Sequence, residues 1–300
     1  QRALLRRGRA LYELTRDDPR MSYYGRAVGL AASDENSLDM LCALRDINLF
    51  NYSQFQFTLR ADRSVTLLDP AQLTARTGIT LPEGVQAVAY ESINRITNGG
   101  DIAWTKSTGL LSIWILGQLI SSPANIVLVP FIPGPEKELG PVVNDTYFGK
   151  VPQERLKILE NLILFKADGL QRGKIGLSPA RARNFLGSFD YEQNILTLLF
   201  FNKPDTHEGY VNSMWELQEH PFAGDVINSY NDGPLEDGSQ MGPFYELEAS
   251  SPAAPLKPGE HLEHVSLTVH VSGTAGELDN LLKELFGISA GEIRSRFDRQ

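Results

Sequence analysis

Apolar and polar residues alternate with a period of two over short stretches through most of the chain, and clusters of Gly, Pro, Asn and Asp separate the stretches. Phe55, Phe57 and Leu59 alternate before Ala61-Asp62-Arg63-Ser64, and Val65-Thr66-Leu67-Leu68 follows, which predicts a hairpin turning at the polar quartet. Further strand-like runs are Val85 to Tyr90, Leu111 to Leu116, Asn125 to Phe131, Ile195 to Phe201 and Val265 to Val271. This spacing predicts a mainly β protein, a large antiparallel β-sandwich rather than alternating β-α units. Helical periodicity is confined to the first twenty residues, Ser37 to Leu49 with Asp34 or Ser37 as cap, Gln153 to Leu162, and Gly276 to Phe286. The expected organisation is one sandwich domain over residues 1–300. Residues 1–50 form a helical or irregular segment packed on it, and residues 275–300 a helical segment at the other end.

The segment from Phe244 to Glu260, FYELEASSPAAPLKPGE, carries two carboxylates on one strand and then a Pro-Gly turn into another strand. Alternation puts Phe244, Glu246 and Glu248 on one face and Tyr245, Leu247 and Ala249 on the other. The two glutamate Cβ atoms are then roughly 7 Å apart, close enough for each charge to perturb the other where water is excluded. A solvated strand face is the plainer reading of such a pair. The turn-rich loops Gly134 to Asp145, Asp205 to Gly209 and Asn228 to Gly242 are where a site is expected.

Charge narrows the classes of partner. The 300 residues carry a formal net charge of -9, which argues against a nucleic-acid-binding surface. The first twenty residues are a local exception, with six arginines interleaved with Leu4, Leu5, Leu11 and Leu14; they read as a surface helix rather than a membrane anchor. No apolar run reaches the length of about 18 residues of a membrane span. The single cysteine, Cys42, forms no internal disulfide and excludes cysteine-rich zinc sites. The histidines lack metal-ligand spacing, so neither a metal nor a cofactor is expected. The sequence begins at Gln1 and shows no signal peptide; a processed periplasmic or extracellular form is the expectation, with the cytoplasm as the alternative.

The residues also resemble a known family. Leu247 to Glu260, LEASSPAAPLKPGE, resembles the late strand and turn of galactose-mutarotase-like proteins, where a strand glutamate precedes a Leu-x-Pro-Gly-Glu turn. Val143 to Gly149, VNDTYFG, is similar to the mutarotase stretch Asn-His-x-Tyr-Phe-Asn, and DYEQNILTL from Asp190 to Leu198 resembles the approach to the final third of that fold. The runs GDIAWTKSTGLLSIWILGQ, RGKIGLSPARA, VNSMWELQ and VINSYNDGP look like a group of uncharacterised bacterial proteins in the same superfamily. The resemblance covers Val88 to Gly273 and implies a supersandwich fold with a saccharide-binding concave cleft. In sugar epimerases of that superfamily a glutamate takes the anomeric hydroxyl proton and a histidine donates to the ring oxygen. The glutamate falls at Glu248, and the histidine position holds Asp145, a poor donor at neutral pH unless burial or Glu246 raises its pKa. The sugar-holding aspartate falls where this chain has Arg172 and Lys174, which makes an acidic saccharide a plausible ligand.

The expected catalytic set is therefore Glu248, Asp145 and Glu246. The expected saccharide contacts are Asn144, Tyr147, Lys150, Trp104, Lys106, Arg172, Lys174, Trp215, Tyr230 and Asp232. Plainer readings stand beside several of these: Asp145 as an Asx-turn residue, Asn231-Asp232-Gly233 as a tight turn, and the tryptophans as core. Arg181 and Arg183 read as a solvated basic face, and the face of His264, Ser266, Thr268 and His270 as wet. Three functions fit: a carbohydrate-active enzyme such as an epimerase-like isomerase, a non-catalytic carbohydrate-binding protein, and an assembly module that retains the fold. The sequence leaves the oligomeric state open.

Overall fold

The computed structural model describes residues 27–31, 40–205, 209–214 and 219–298. Two antiparallel sheets dominate it. The larger has ten strands in the order β1 (Ala27–Ala31), β2 (Met40–Phe50), β3 (Gln56–Leu68), β4 (Gln86–Asn98), β14 (His261–Ser272), β11 (Ile195–Phe201), β10 (Phe185–Asp190), β6 (Asn125–Pro130), β8 (Leu162–Lys166) and β7 (Leu156–Ile158). The smaller has four, in the order β5 (Trp114–Ile120), β13 (Phe244–Ser250), β12 (Ile227–Asn231) and β9 (Gly173–Leu177).

Period-two alternation builds the layers. Val127, Val129, Ile163, Phe165 and Leu199 of the large sheet pack against Ile175, Leu177, Ile227, Tyr245, Leu247 and Ala249 of the small one, forming the core of a sandwich. The intervening residues of the large sheet, including Ile126, Leu128, Leu198, Leu267 and Val269, meet helices instead. These are α1 (Pro70–Thr77), α3 (Ala275–Phe286) and α4 (Ala290–Ser295); α2 (Glu136–Leu139) is a single turn elsewhere. Helix α3 buries Leu278, Leu281, Leu282 and Phe286 at helical spacing, each side chain contributing about 1.5–3 kcal/mol of burial. Thr274 and Glu277 close its start in a capping box, and Gly287 ends it at φ 68°. Covered on both faces, the centre of the large sheet is mostly apolar, with Ser188, Thr197, His264 and Ser266 buried among its strands. The face of the small sheet turned away from the sandwich core holds buried polar residues, among them Lys174, Asn228, Glu246 and Glu248.

The sandwich matches the sequence expectation, while several local readings need correction. Helical periodicity at Ser37 to Leu49 gives way to strand β2, which pairs with β3 over its length and with β1 between Met40 and Ala43. Gln153 to Leu162 also departs from a helix: the N–H groups of Arg155 and Leu156 both donate to the Pro152 carbonyl in one turn, and the chain then enters the short strand β7. The quartet at 61–64 is no turn, because β3 runs through it with Ala61 opposite Ile96 and Ser64 opposite Ile93. Arg181 is buried rather than solvated and donates to the carbonyls of Ile132, Gly134 and Gly140. His264 is buried rather than wet, and burial pushes its pKa down to about 4. The basic stretch of the first twenty residues lies outside the described residues.

Candidate functional site

The outer face of the small sheet is a grid fixed by register. Leu116, Glu248, Asn228 and Gly176 lie in one cross-strand row, and Gln118, Glu246, Tyr230 and Lys174 in the next. Side chains in such rows stand on the same face about 5 Å from their neighbours. Asn144 extends the first row by pairing with Gly176. A cavity of about 180 Å³ opens over the grid, walled by Trp114, Phe148, Tyr230 and Phe244 and presenting Gln118, Arg172, Lys174 and Glu246.

The two glutamates of the E-x-E pair have different surroundings. Glu248 is fully buried, and its Oε2 accepts from Trp114 Nε1 at 2.8 Å and Lys174 Nζ at 3.0 Å. It lies beneath the cavity, which places the expected general base behind the ammonium and the indole. Glu246 faces the cavity, with Gln118 Nε2 donating to its Oε1 at 3.1 Å. Burial, reinforced by the Glu248 charge, pushes the Glu246 pKa up to about 7 against the pull of Gln118 and Lys174. A carboxyl group poised there exchanges protons at neutral pH.

Cations and aromatics complete the walls. The Lys174 ammonium lies 5.1 Å from the Trp114 ring centroid and 5.3 Å from that of Tyr147. The Arg172 guanidinium stacks on Phe148 at 3.9 Å. Among the described residues no carboxylate forms an ion pair with Arg172, while Lys174 is matched by Glu248.

Beside Glu248 lies a second polar cluster. Tyr147 donates its hydroxyl to Asp225 Oδ2 at 2.6 Å, Asn144 Nδ2 donates to the same oxygen at 3.2 Å, and Asn228 Nδ2 donates to the Tyr147 oxygen at 3.0 Å. Burial raises the Asp225 pKa, opposed by these donors and the Lys174 charge. Burial and then Asp225 raise that of Tyr147, so the phenol keeps its proton. Gly176 makes room for the cluster, since a Cβ there would collide with Asp225 Oδ2 and Asn228 Nδ2.

Of the expected residues, the structure brings Tyr147, Arg172, Lys174, Tyr230 and Glu246 to the cavity, with Glu248 beneath it and Asn144 in the adjoining cluster. Asp145 is not part of the lining; its carboxylate pairs with Lys150 at 2.8 Å. Lys150 is 76% exposed in that pair and lies outside the lining as well. Trp104 is not a sugar shelf, because it is buried against Phe57 with ring centroids 5.4 Å apart. Lys106 is on the exposed turn from Thr105 to Gly109, away from the lining. Asp232 is buried and accepts from the Tyr230 hydroxyl at 2.7 Å, holding the wall from behind. Trp215 lies outside the described residues. Sequence reasoning missed Asp225, Trp114, Gln118 and Phe148. Period-two alternation in WILGQLI was the available signal for Trp114 and Gln118, which share parity with Leu116. Asp225 gave no periodic signal, because it sits at the Gly-Asp entry to β12.

The chain belongs to the family described as "Family of unknown function (DUF6786)", matched over residues 30–297. No curated protein matches it. Among solved structures it is similar to a protein of Escherichia coli K12 described as a candidate aldose 1-epimerase, at 12% identity over 83% of this chain and 69% of that one with a TM-score of 0.46. It is also similar to the Slr1438 protein of Synechocystis sp. PCC 6803, at 11% identity over 83% and 66% with a TM-score of 0.45. A third is a galactose mutarotase-like protein of Lactobacillus casei ATCC 334, at 10% identity over 79% and 71% with a TM-score of 0.40. The chain thus spans about two thirds of the length of these structures. Among the described residues no helix is long and apolar enough to cross a membrane.

Proposed function

We propose that the cavity on the small sheet receives a saccharide and that Glu246, not Glu248, is its proton-exchanging group. The observation that carries this reading is the contrast within the pair: Glu246 faces the cavity at a pKa of about 7, while Glu248 is neutralised beneath it by Lys174. Trp114 and Phe148 offer aromatic faces to the apolar C–H surface of a sugar ring. In an epimerase-like reaction the Glu246 carboxylate takes the anomeric hydroxyl proton and the Lys174 ammonium gives one to the ring oxygen. Ring closure on the other face returns both protons. Arg172, stacked and without a carboxylate partner, favours a sugar bearing an acidic group. The closure of Glu248 by Lys174 also supports a second reading, a binding protein without turnover, since it ties the ammonium in place.

Calorimetric titration of galacturonate-type and neutral oligosaccharides separates these readings. The acidic ligand is expected to bind more tightly, and Arg172→Ala to remove that advantage, about 1.5–3 kcal/mol for a charge-assisted hydrogen bond. Anomer exchange abolished in Glu246→Gln with binding retained supports the enzyme, and binding without any turnover supports the second reading. No binding of either ligand class overturns both.

A further inference from the structure

Strand β5 is an edge of the small sheet, paired on one side only, with β13. Its sequence, WILGQLI, has no charge and no proline, and among the described residues no strand lies against its free side. Proteins usually protect such edges with charges, proline, bulges or covering loops. Here Trp114 is 42% exposed, Leu116 36% and Ile120 89%. Just beyond the two ends of the strand, Ser251 N donates to the Ile113 carbonyl and Ser121 N donates to the Pro243 carbonyl. Antiparallel ladders alternate, so the odd-numbered residues of β5 bond to β13. The N–H and C=O groups of Trp114, Leu116, Gln118 and Ile120 then point outward.

We propose that this edge is a homodimer interface in which β5 pairs antiparallel with β5 of a second copy about a two-fold axis at Gly117. That register sets Trp114 opposite Ile120 of the partner subunit and Leu116 opposite Gln118 of the partner subunit. All four outward-facing residues then fall in hydrogen-bonded pairs, giving on the order of eight backbone hydrogen bonds. The most exposed apolar side chain of the strand is covered by its most exposed aromatic one, an aromatic with β-branched pair that favours the ladder. Two chains of net charge -9 repel each other over most of their surface, and β5 lets them meet along an uncharged line. A second copy fits better than a charged partner strand, because nothing on the edge would select one. The contact is small, so the dimer is weak and concentration-dependent. It joins the two small sheets into one eight-stranded sheet, with a cavity on each half.

Sedimentation velocity from low micromolar to near-millimolar concentration is the direct test. A dimer fraction that rises with concentration is expected, and Ile120→Pro and Ile120→Asp should each weaken it by more than about tenfold, because the two-fold axis doubles each loss. Proline there removes an outward N–H and leaves the ladder to β13 intact; unchanged thermal melting of the monomer checks this. In the wild-type protein, amide exchange at Leu116 and Gln118 should slow as concentration rises while that of Gly117 stays constant. Monomer at every concentration, a dimer unaffected by both substitutions, or amide exchange independent of concentration each overturns the proposal.

Discussion

Asp168 and Glu246 are both buried carboxyl groups near the small sheet, and their surroundings differ in the number of donors and in the sign of the neighbouring charge. Asp168 receives both terminal nitrogens of Arg155, the Leu170 N–H at 3.0 Å and Asn231 Nδ2 at 3.5 Å, with the Lys166 ammonium at 3.8 Å. Burial alone would raise its pKa; Arg155 and the Leu170 N–H outweigh burial and hold it below the usual range. Glu246 accepts from Gln118 and has the Glu248 charge beside it, and burial wins. Desolvation with compensation makes a structural clamp, whereas desolvation without it makes a proton-exchanging group.

Four substitutions test that contrast. The largest effect is expected from Arg155→Met, which strands the Asp168 charge in the interior and removes several hydrogen bonds at once, at a cost of about 5 kcal/mol. Denaturant titration at neutral pH measures it, and a loss under about 1 kcal/mol would show that the clamp is solvated. Lys174→Met should cost about 3 kcal/mol by leaving Glu248 unpaired, and the double change Lys174→Met with Glu248→Gln should regain most of it. A double variant no more stable than Lys174→Met would break the assignment of Glu248 as a charge held by that ammonium.

The smallest effect concerns Glu246 and depends on pH. Its ordinary value is 4.5 and its folded value about 7, so between these the unfolded chain gives up a proton that the native state keeps. Stability linked to this group is therefore complete below pH 4.5 and declines as pH rises through 7. Glu246→Gln removes that decline: the variant should be more stable than wild type by about 1–2 kcal/mol at alkaline pH, after discounting for partial solvation. The gain should vanish in acid. Melting curves across pH settle the sign, and a variant less stable than wild type in alkali would place an essential contact on the carboxylate.

Strands whose alternation matched a one-sided or two-sided burial pattern were legible, such as β13 and β14, because period two is a direct imprint of the pleat. Strand β2 was not, since Met40, Leu41, Ala43, Leu44 and Arg45 favour a helix and only the ladders to β1 and β3 override them. At the site, the face shared by Glu246 and Glu248 was legible, but not which of them meets solvent. That depends on Lys174 and Trp114, which the fold brings from strands remote in sequence. Asp145 misled because its carboxylate is taken up by Lys150, a neighbour outside the cavity.

Strand β14 has a consequence for how the molecule is assembled. It lies between β4 and β11, pairing with β4 across twelve positions and with β11 across seven, and it is the one join in the ten-stranded sheet between β1–β4 and the group of β6, β7, β8, β10 and β11. Every other strand of that sheet is made before this one. Until β14 is made, β4 and β11 each present an unpaired edge, and a nascent chain of this protein is exposed to strand exchange with its neighbours over that interval.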